Sequence, residues 1–206
     1  MSKFFRNNGL SLVLTSLFFI FWSSQALSGW YVHNDELRTT ARPELMFSEY
    51  LHSGHFWQAT GENWESEFLQ MGCYVVLTIF LYQKGSAESK DPDDVQNEKA
   101  DTNDQSVSWL YRNSLSLAFL VLFLLSFAIH ASGGLSEENN KRLGQGRPPE
   151  TMGDFLTSSQ FWFESFQNWQ SEFLAVLSIV TLTIFLRQKG SPESKSVCEP
   201  NSKTGS

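Results

Sequence analysis

The chain has 206 residues, of which 41% are hydrophobic and 15% aromatic, and its formal net charge is -7. That acidic balance excludes a nucleic-acid surface, which needs clustered Lys and Arg. Two cysteines, Cys73 in an apolar run and Cys198 in a polar tail, exclude a disulfide framework or a cysteine-based zinc site.

Mean hydropathy is only -0.24, yet the apolar residues cluster into runs separated by long polar stretches, as in a small polytopic membrane protein. Lys3 and Arg6 precede the first run, Leu10 to Leu27, which at about 18 residues is long enough to cross a bilayer as a helix. A signal peptide has the same layout. Ser28 to Glu62 reads as a polar loop. Within it Met46, Phe47, Tyr50, Leu51 and Trp57 recur at helical spacing, which predicts a short amphipathic helix over about 46–58, lying at the membrane interface or capping the spans. A second span is expected over about 66–83. Asn63 is its predicted N-cap, Glu65 and Glu67 lie in its first turn, Trp64 in an aromatic belt, and Gly85 stops it. Residues 91–108 form an acidic linker with almost no apolar side chains, for which disorder is the default. The pattern then returns: a span over about 113–131, an interfacial helix over about 152–164, a span over about 171–188, and a polar, mobile tail over 196–206.

The return is a duplication. Asn63-Trp64-Glu65-Ser66-Glu67-Phe68-Leu69 recurs as Asn168-Trp169-Gln170-Ser171-Glu172-Phe173-Leu174. Gln83-Lys84-Gly85-Ser86-Ala87-Glu88-Ser89-Lys90 recurs as Gln188-Lys189-Gly190-Ser191-Pro192-Glu193-Ser194-Lys195. At a constant offset of 105, 34 of 83 aligned pairs are identical, and bilayer solubility does not demand the polar identities among them. A mid-chain copy of the first span also argues against a cleaved signal peptide. Lys3, Arg6, Lys84, Lys90, Lys99, Arg112, Arg187, Lys189, Lys195 and Lys203 fall on the side of the termini and linker, against five basic residues on the other side. The positive-inside rule then places both termini in the cytoplasm. The expected fold is all-α: a polytopic transmembrane four-helix bundle built from two parallel two-span repeats (1–90 and 109–195), with short amphipathic interfacial helices.

Through its paired Asn-Trp-x-Ser-Glu-Phe-Leu and Leu-Thr-Ile-Phe-Leu-x-Gln-Lys-Gly-Ser-x-Glu-Ser-Lys motifs, the chain resembles a family of bacterial integral membrane proteins classed as a domain of unknown function. The resemblance covers all but the linker and tail. It implies a bacterial inner-membrane location and carries over no catalytic or binding residues. The copies differ at Tyr82 and Arg187 and at Ala87 and Pro192.

Glu67 and Glu172 are binding candidates, being acidic, paired by the repeat and close to the apolar boundary. First-turn complementarity to the helix dipole explains them equally. Trp64 and Trp169 share their helical face, as cation–π partners or belt anchors. His52 and His55 have metal-chelating spacing, but no acidic or cysteine ligand completes a set, so neither a metal nor a cofactor is expected. His130 lies opposite Gln25 and could hydrogen-bond between spans. Conservation of the Gln-Lys-Gly-Ser-x-Glu-Ser-Lys segment between copies implies either recent duplication or contact with something. No charged residue lies in the centre of any span, which disfavours ion-coupled transport, and no catalytic motif is present. The expected function is a non-enzymatic envelope or partner-binding module, whose partners are the bilayer and a membrane protein or second copy. The alternatives are a small transporter or channel subunit and, least supported, a lipid-acting enzyme.

Overall fold

The computed structural model describes residues 3–93 and 107–205. Most of the linker therefore lies outside the described residues. The described chain is helical: α1 (Lys3–Thr39), α2 (Phe47–Tyr50), α3 (Gly54–Phe80), α4 (Trp109–Arg112), α5 (Ser114–Gly144), α6 (Met152–Leu156) and α7 (Ser159–Phe185). Three helices, α1, α5 and α7, are long and apolar enough to cross a membrane. Their apolar side chains lie bare, among them Val13, Leu14, Phe21, Leu120, Leu124, Leu177 and Leu182, as a lipid-facing surface requires. α3 is not among the three, because its first half carries Gln58, Glu62, Glu65 and Glu67.

The helices overrun the expected segments. α1 has 37 residues, about 55 Å at 1.5 Å per residue, against about 30 Å of hydrocarbon. Its last third therefore projects beyond the apolar run, through what reads in sequence as loop. It ends in a Schellman turn: Arg42 N donates to Leu37 O at 2.8 Å, Ala41 N to Arg38 O at 3.1 Å, and Ala41 takes φ +53°. α5 ends the same way, with Gly146 at φ +68° and Arg147 N donating to Arg142 O at 2.8 Å. The interfacial segments are divided. α2 is one turn, with Glu49 accepting from Met46 N at 2.7 Å, and the rest of 46–58 belongs to α3. Ser53 Oγ accepts from Phe56 N at 3.2 Å, as Ser158 Oγ does from Phe161 N, so these serines start α3 and α7. Asn63 consequently lies inside α3 and caps nothing, because the polar residues from Gln58 to Glu62 contain no proline to interrupt the helix. α3 also stops at Phe80, and Gly85 belongs to the turn beyond it.

Two compact units divide the chain within α3 and α5: 1–61 with 129–156, and 62–128 with 157–206. In the first, Ala26, Tyr50 and Phe56 form a core, with Trp22, Trp30, Phe47, Leu51 and Trp57 packed on it. The start of α3 meets α5 backbone to backbone: a Cβ on Gly54 would lie 2.6 Å from Gly133 O, and one on Gly133 would lie 2.5 Å from Gln58 N. Asn34 clamps the strand after α1, giving Nδ2–H to Leu45 O at 2.9 Å and accepting Leu45 N–H at 2.8 Å. Asn139 treats Glu150 likewise, at 3.2 and 2.8 Å. In the second unit Phe161 is fully buried and edges onto Phe127, with Trp162, Phe166 and Trp169 stacked along α7.

Candidate functional site

Of the four binding candidates, Glu67 is exposed and Glu172 half-buried, and they lie near enough for their charges to interact. The buried carboxylate of this region is their neighbour Glu65, at 0% exposure, which accepts a hydrogen bond from Trp169 Nε1 at 2.9 Å. Trp169 is therefore held by a polar partner as well as by the aromatic stack, and Trp64 is half-buried. Sequence reasoning placed Glu65 with Glu67 in a solvated first turn. Extension of α3 through Asn63 removed that turn and turned Glu65 inward.

The repeated Gln-Lys-Gly-Ser-x-Glu-Ser-Lys segments fold into matching turns. Gly85 and Gly190 take φ +87° and +84°, a conformation that favours glycine. Ser86 N donates to Gln83 O at 3.1 Å and Ser191 N to Gln188 O at 3.2 Å. Ser86 and Ser191 each accept the N–H of Glu88 or Glu193 at 3.1 Å. Ser89 accepts from Gln83 N at 2.8 Å, and Ser194 from Gln188 N at 2.9 Å. The shared glycines and serines therefore have structural tasks. The exposed tips are Gln83-Lys84 and Gln188-Lys189, with Lys84 ion-paired to Asp93.

The final lysines diverge. Lys90 is exposed, whereas Lys195 is 1% exposed. Lys195 Nζ donates to Gly85 O, to Lys203 O at 2.9 Å and to Asn201 O at 3.1 Å. Burial, then the nearby Arg187, lowers its pKa. Arg187, where the first copy has Tyr82, reaches Glu199 O and Asn201 Oδ1, both at 3.1 Å. The tail is further tied to the first loop, Gly205 N donating to Ser86 O at 2.9 Å and Gly85 N to Thr204 Oγ1 at 2.9 Å. Residues 196–205 are thus an ordered part of the second unit, and the mobile tail expected from composition is corrected. Hydrogen bonds to backbone carbonyls order it without an apolar core. Glu88 is raised above the ordinary carboxyl range by burial and by Glu193 beside it, and Tyr74 donates to it at 3.3 Å.

The histidines rearrange. His52 is exposed and bonds Ser48 O at 2.8 Å, so the His-x-x-His pair does not converge. His130 is fully buried against Gly61, and Gln25 is half-buried. His55 instead faces His33 from the projecting end of α1, with ring centroids 4.7 Å apart. Glu36, one turn along α1, completes a group whose candidate ligand atoms all lie within 4.8 Å of one another. Tyr50 Oη is 3.1 Å from His55 Nδ1. Burial and then His33 hold the His55 imidazole below its ordinary value, against the pull of Glu137 and Glu36. Burial and the Glu137 charge push the Tyr50 hydroxyl up to about 12. Sequence spacing could not reveal this cluster, because its members come from different helices.

Neither a curated protein nor a solved structure matches the chain. A family profile does, over residues 1–206: the chain belongs to the family DUF6766, a domain of unknown function.

Proposed function

We propose that this is a bacterial inner-membrane protein, built by duplication of a two-span hairpin into a four-span bundle. Both termini are cytoplasmic, and the protein works as a non-enzymatic module that binds a partner. Three apolar helices support the membrane location. The fourth span is assigned to about 66–83, the end of α3 with the residues that follow it, of which Phe68 to Gln83 carry no charged residue. One observation carries the binding role. The two turns and the tail are polar, and form a platform locked by the buried Lys195 and presenting the exposed tips Gln83-Lys84 and Gln188-Lys189. Anchoring in lipid requires no such order, since a polar segment without an apolar core is disordered by default. A preorganised surface lowers the entropy cost of binding.

A photo-crosslinker at Gln188 in native membranes tests the proposal. It should yield one discrete adduct, with a membrane protein or a second copy, and Lys195→Met should abolish that adduct by loosening the platform. Absence of any discrete adduct, or one indifferent to Lys195→Met, refutes the reading.

A further inference from the structure

We propose that His33, Glu36 and His55 bind a divalent first-row transition-metal ion, with Tyr50 as the group that orients His55. Three observations converge. The candidate ligand atoms lie within 4.8 Å of one another. In a tetrahedral site with bonds of about 2.1 Å, ligand atoms stand about 3.4 Å apart, so small side-chain rotations close the set, and exposed Glu36 is free to make them. Second, His33 is 5% exposed and its Nδ1 has no hydrogen-bond partner among the described residues. A buried imidazole nitrogen without a partner is costly, and it belongs to a ring whose centroid lies 4.7 Å from that of His55. Third, the surrounding scaffold does not need the polar atoms of these side chains. The Asn34 clamp and the close approach of Gly29 to Tyr50 recur 105 positions on as the Asn139 clamp and Gly134 against Phe155. At those paired positions His33, Glu36, Tyr50 and His55 are replaced by Glu138, Lys141, Phe155 and Gln160. Folding alone therefore explains the framework and leaves the four polar groups over.

Two imidazoles and one carboxylate select the metal class. Calcium and magnesium take oxygen ligands, whereas zinc, iron(II), cobalt and nickel accept an N,N,O set. Buried Glu137 adds negative charge within reach of both imidazoles, while Lys141 and Arg42 oppose it. With Nδ1–H of His55 donating to Tyr50 Oη, the Nε2 lone pair is left for the ion, the usual outer-shell arrangement. Three protein ligands leave at least one coordination position to water or to a ligand. In the topology proposed above, the site lies on the extracytoplasmic face.

The test titrates Zn²⁺ into metal-stripped, full-length protein in detergent against a chromogenic chelator, with Co²⁺ absorption as a second readout. Wild type should bind one equivalent and gain thermal stability with it. Glu36→Gln, His33→Asn and His55→Gln should each bind at least about tenfold more weakly, and His52→Ala should bind like wild type. Glu36 is exposed and His55→Gln installs the side chain of the paired position, so these two variants keep the fold. Tyr50→Phe, matching Phe155, should also weaken binding. Failure of wild type to take up a stoichiometric ion overturns the proposal, as does wild-type affinity in both Glu36→Gln and His55→Gln.

Discussion

Single residues carry two contrasts between paired positions, and each gives a measurable consequence. Ala41 and Gly146 end their helices in the same Schellman turn, but only Gly146 is free of a Cβ in the left-handed region. That conformation costs an L-residue about 1–2 kcal/mol, partly offset by the larger chain entropy of glycine in the unfolded state. Ala41→Gly should therefore stabilise the protein by about 0.5–1 kcal/mol, read as a higher Tm in detergent, while Gly146→Ala should do the reverse. Lys195 and Lys90 are the second contrast. Lys195→Met removes the donor that serves the Gly85, Asn201 and Lys203 carbonyls in a buried site. Stranding them should cost about 2 kcal/mol or more and expose the tail to protease, whereas Lys90→Met, at an exposed position, should leave the tail protected. Neither contrast was legible in the sequence. Two lysines at matching positions take opposite environments, because the carbonyls of Asn201 and Lys203 close over Lys195 Nζ.

At the scale of elements, the apolar runs were readable, and the helix boundaries, the serine-capped starts of α3 and α7 among them, were not. A reader of sequence breaks a helix where polarity rises. The backbone breaks where a cap, a proline or a positive φ intervenes, and between Gly54 and Phe80 none does. The paired turns show what the motif does mean: serine hydroxyls at fixed offsets accept N–H groups left over beyond the helix end. Their glycines are equivalent in φ and unequal in surroundings. A Cβ on Gly85 would lie 2.6 Å from Asn201 O, while one on Gly190 would meet nothing within 4 Å. Gly190→Ala should therefore cost only the left-handed strain, about 1 kcal/mol, whereas Gly85→Ala should cost clearly more and release the tail, as hydrogen exchange at Thr204 and Gly205 would show. The same turns predict a pH effect. Glu88 titrates above the ordinary carboxyl range because burial and Glu193 disfavour its charge. Its contribution to stability is complete below the unfolded-state value and fades as pH rises through the raised one. Wild type should therefore gain Tm relative to Glu88→Gln on acidification from pH 7 towards pH 5, since the amide carries no charge to lose. An unchanged difference between the two proteins across that window would show that burial and Glu193 do not raise Glu88.

At the scale of the whole molecule, the proposal of two parallel halves rests on the offset of 105 and on the distribution of basic residues. Matched Schellman ends, Asn clamps, serine caps and glycine turns at that offset are what two copies of one hairpin would keep. Their differences fall where each half has separate work: Tyr82 against Arg187 at the tail, and the His33 cluster against Glu138, Lys141 and Gln160. If both halves enter the membrane in the same direction, an even number of spans separates Trp109 from the C-terminus. Reporters fused after Trp109 and after Thr204 must then give the same cytoplasmic signal, and one inserted at Thr40, between α1 and α2, the opposite one. The Thr40 fusion is the stringent arm, because α3 is the helix whose polar first half leaves its crossing to be carried by about 66–83 alone. Were α3 to remain on one face, all three reporters would give the same signal. Such a result would overturn the four-span reading while leaving the paired turns on one face. Agreement of Trp109 with the C-terminus is the outcome that the hydrogen bonds between Gly85, Ser86 and the tail require, because a bond joining the first loop to the last residues cannot cross a bilayer, and an opposite signal from Thr40 is what a crossing by α3 adds.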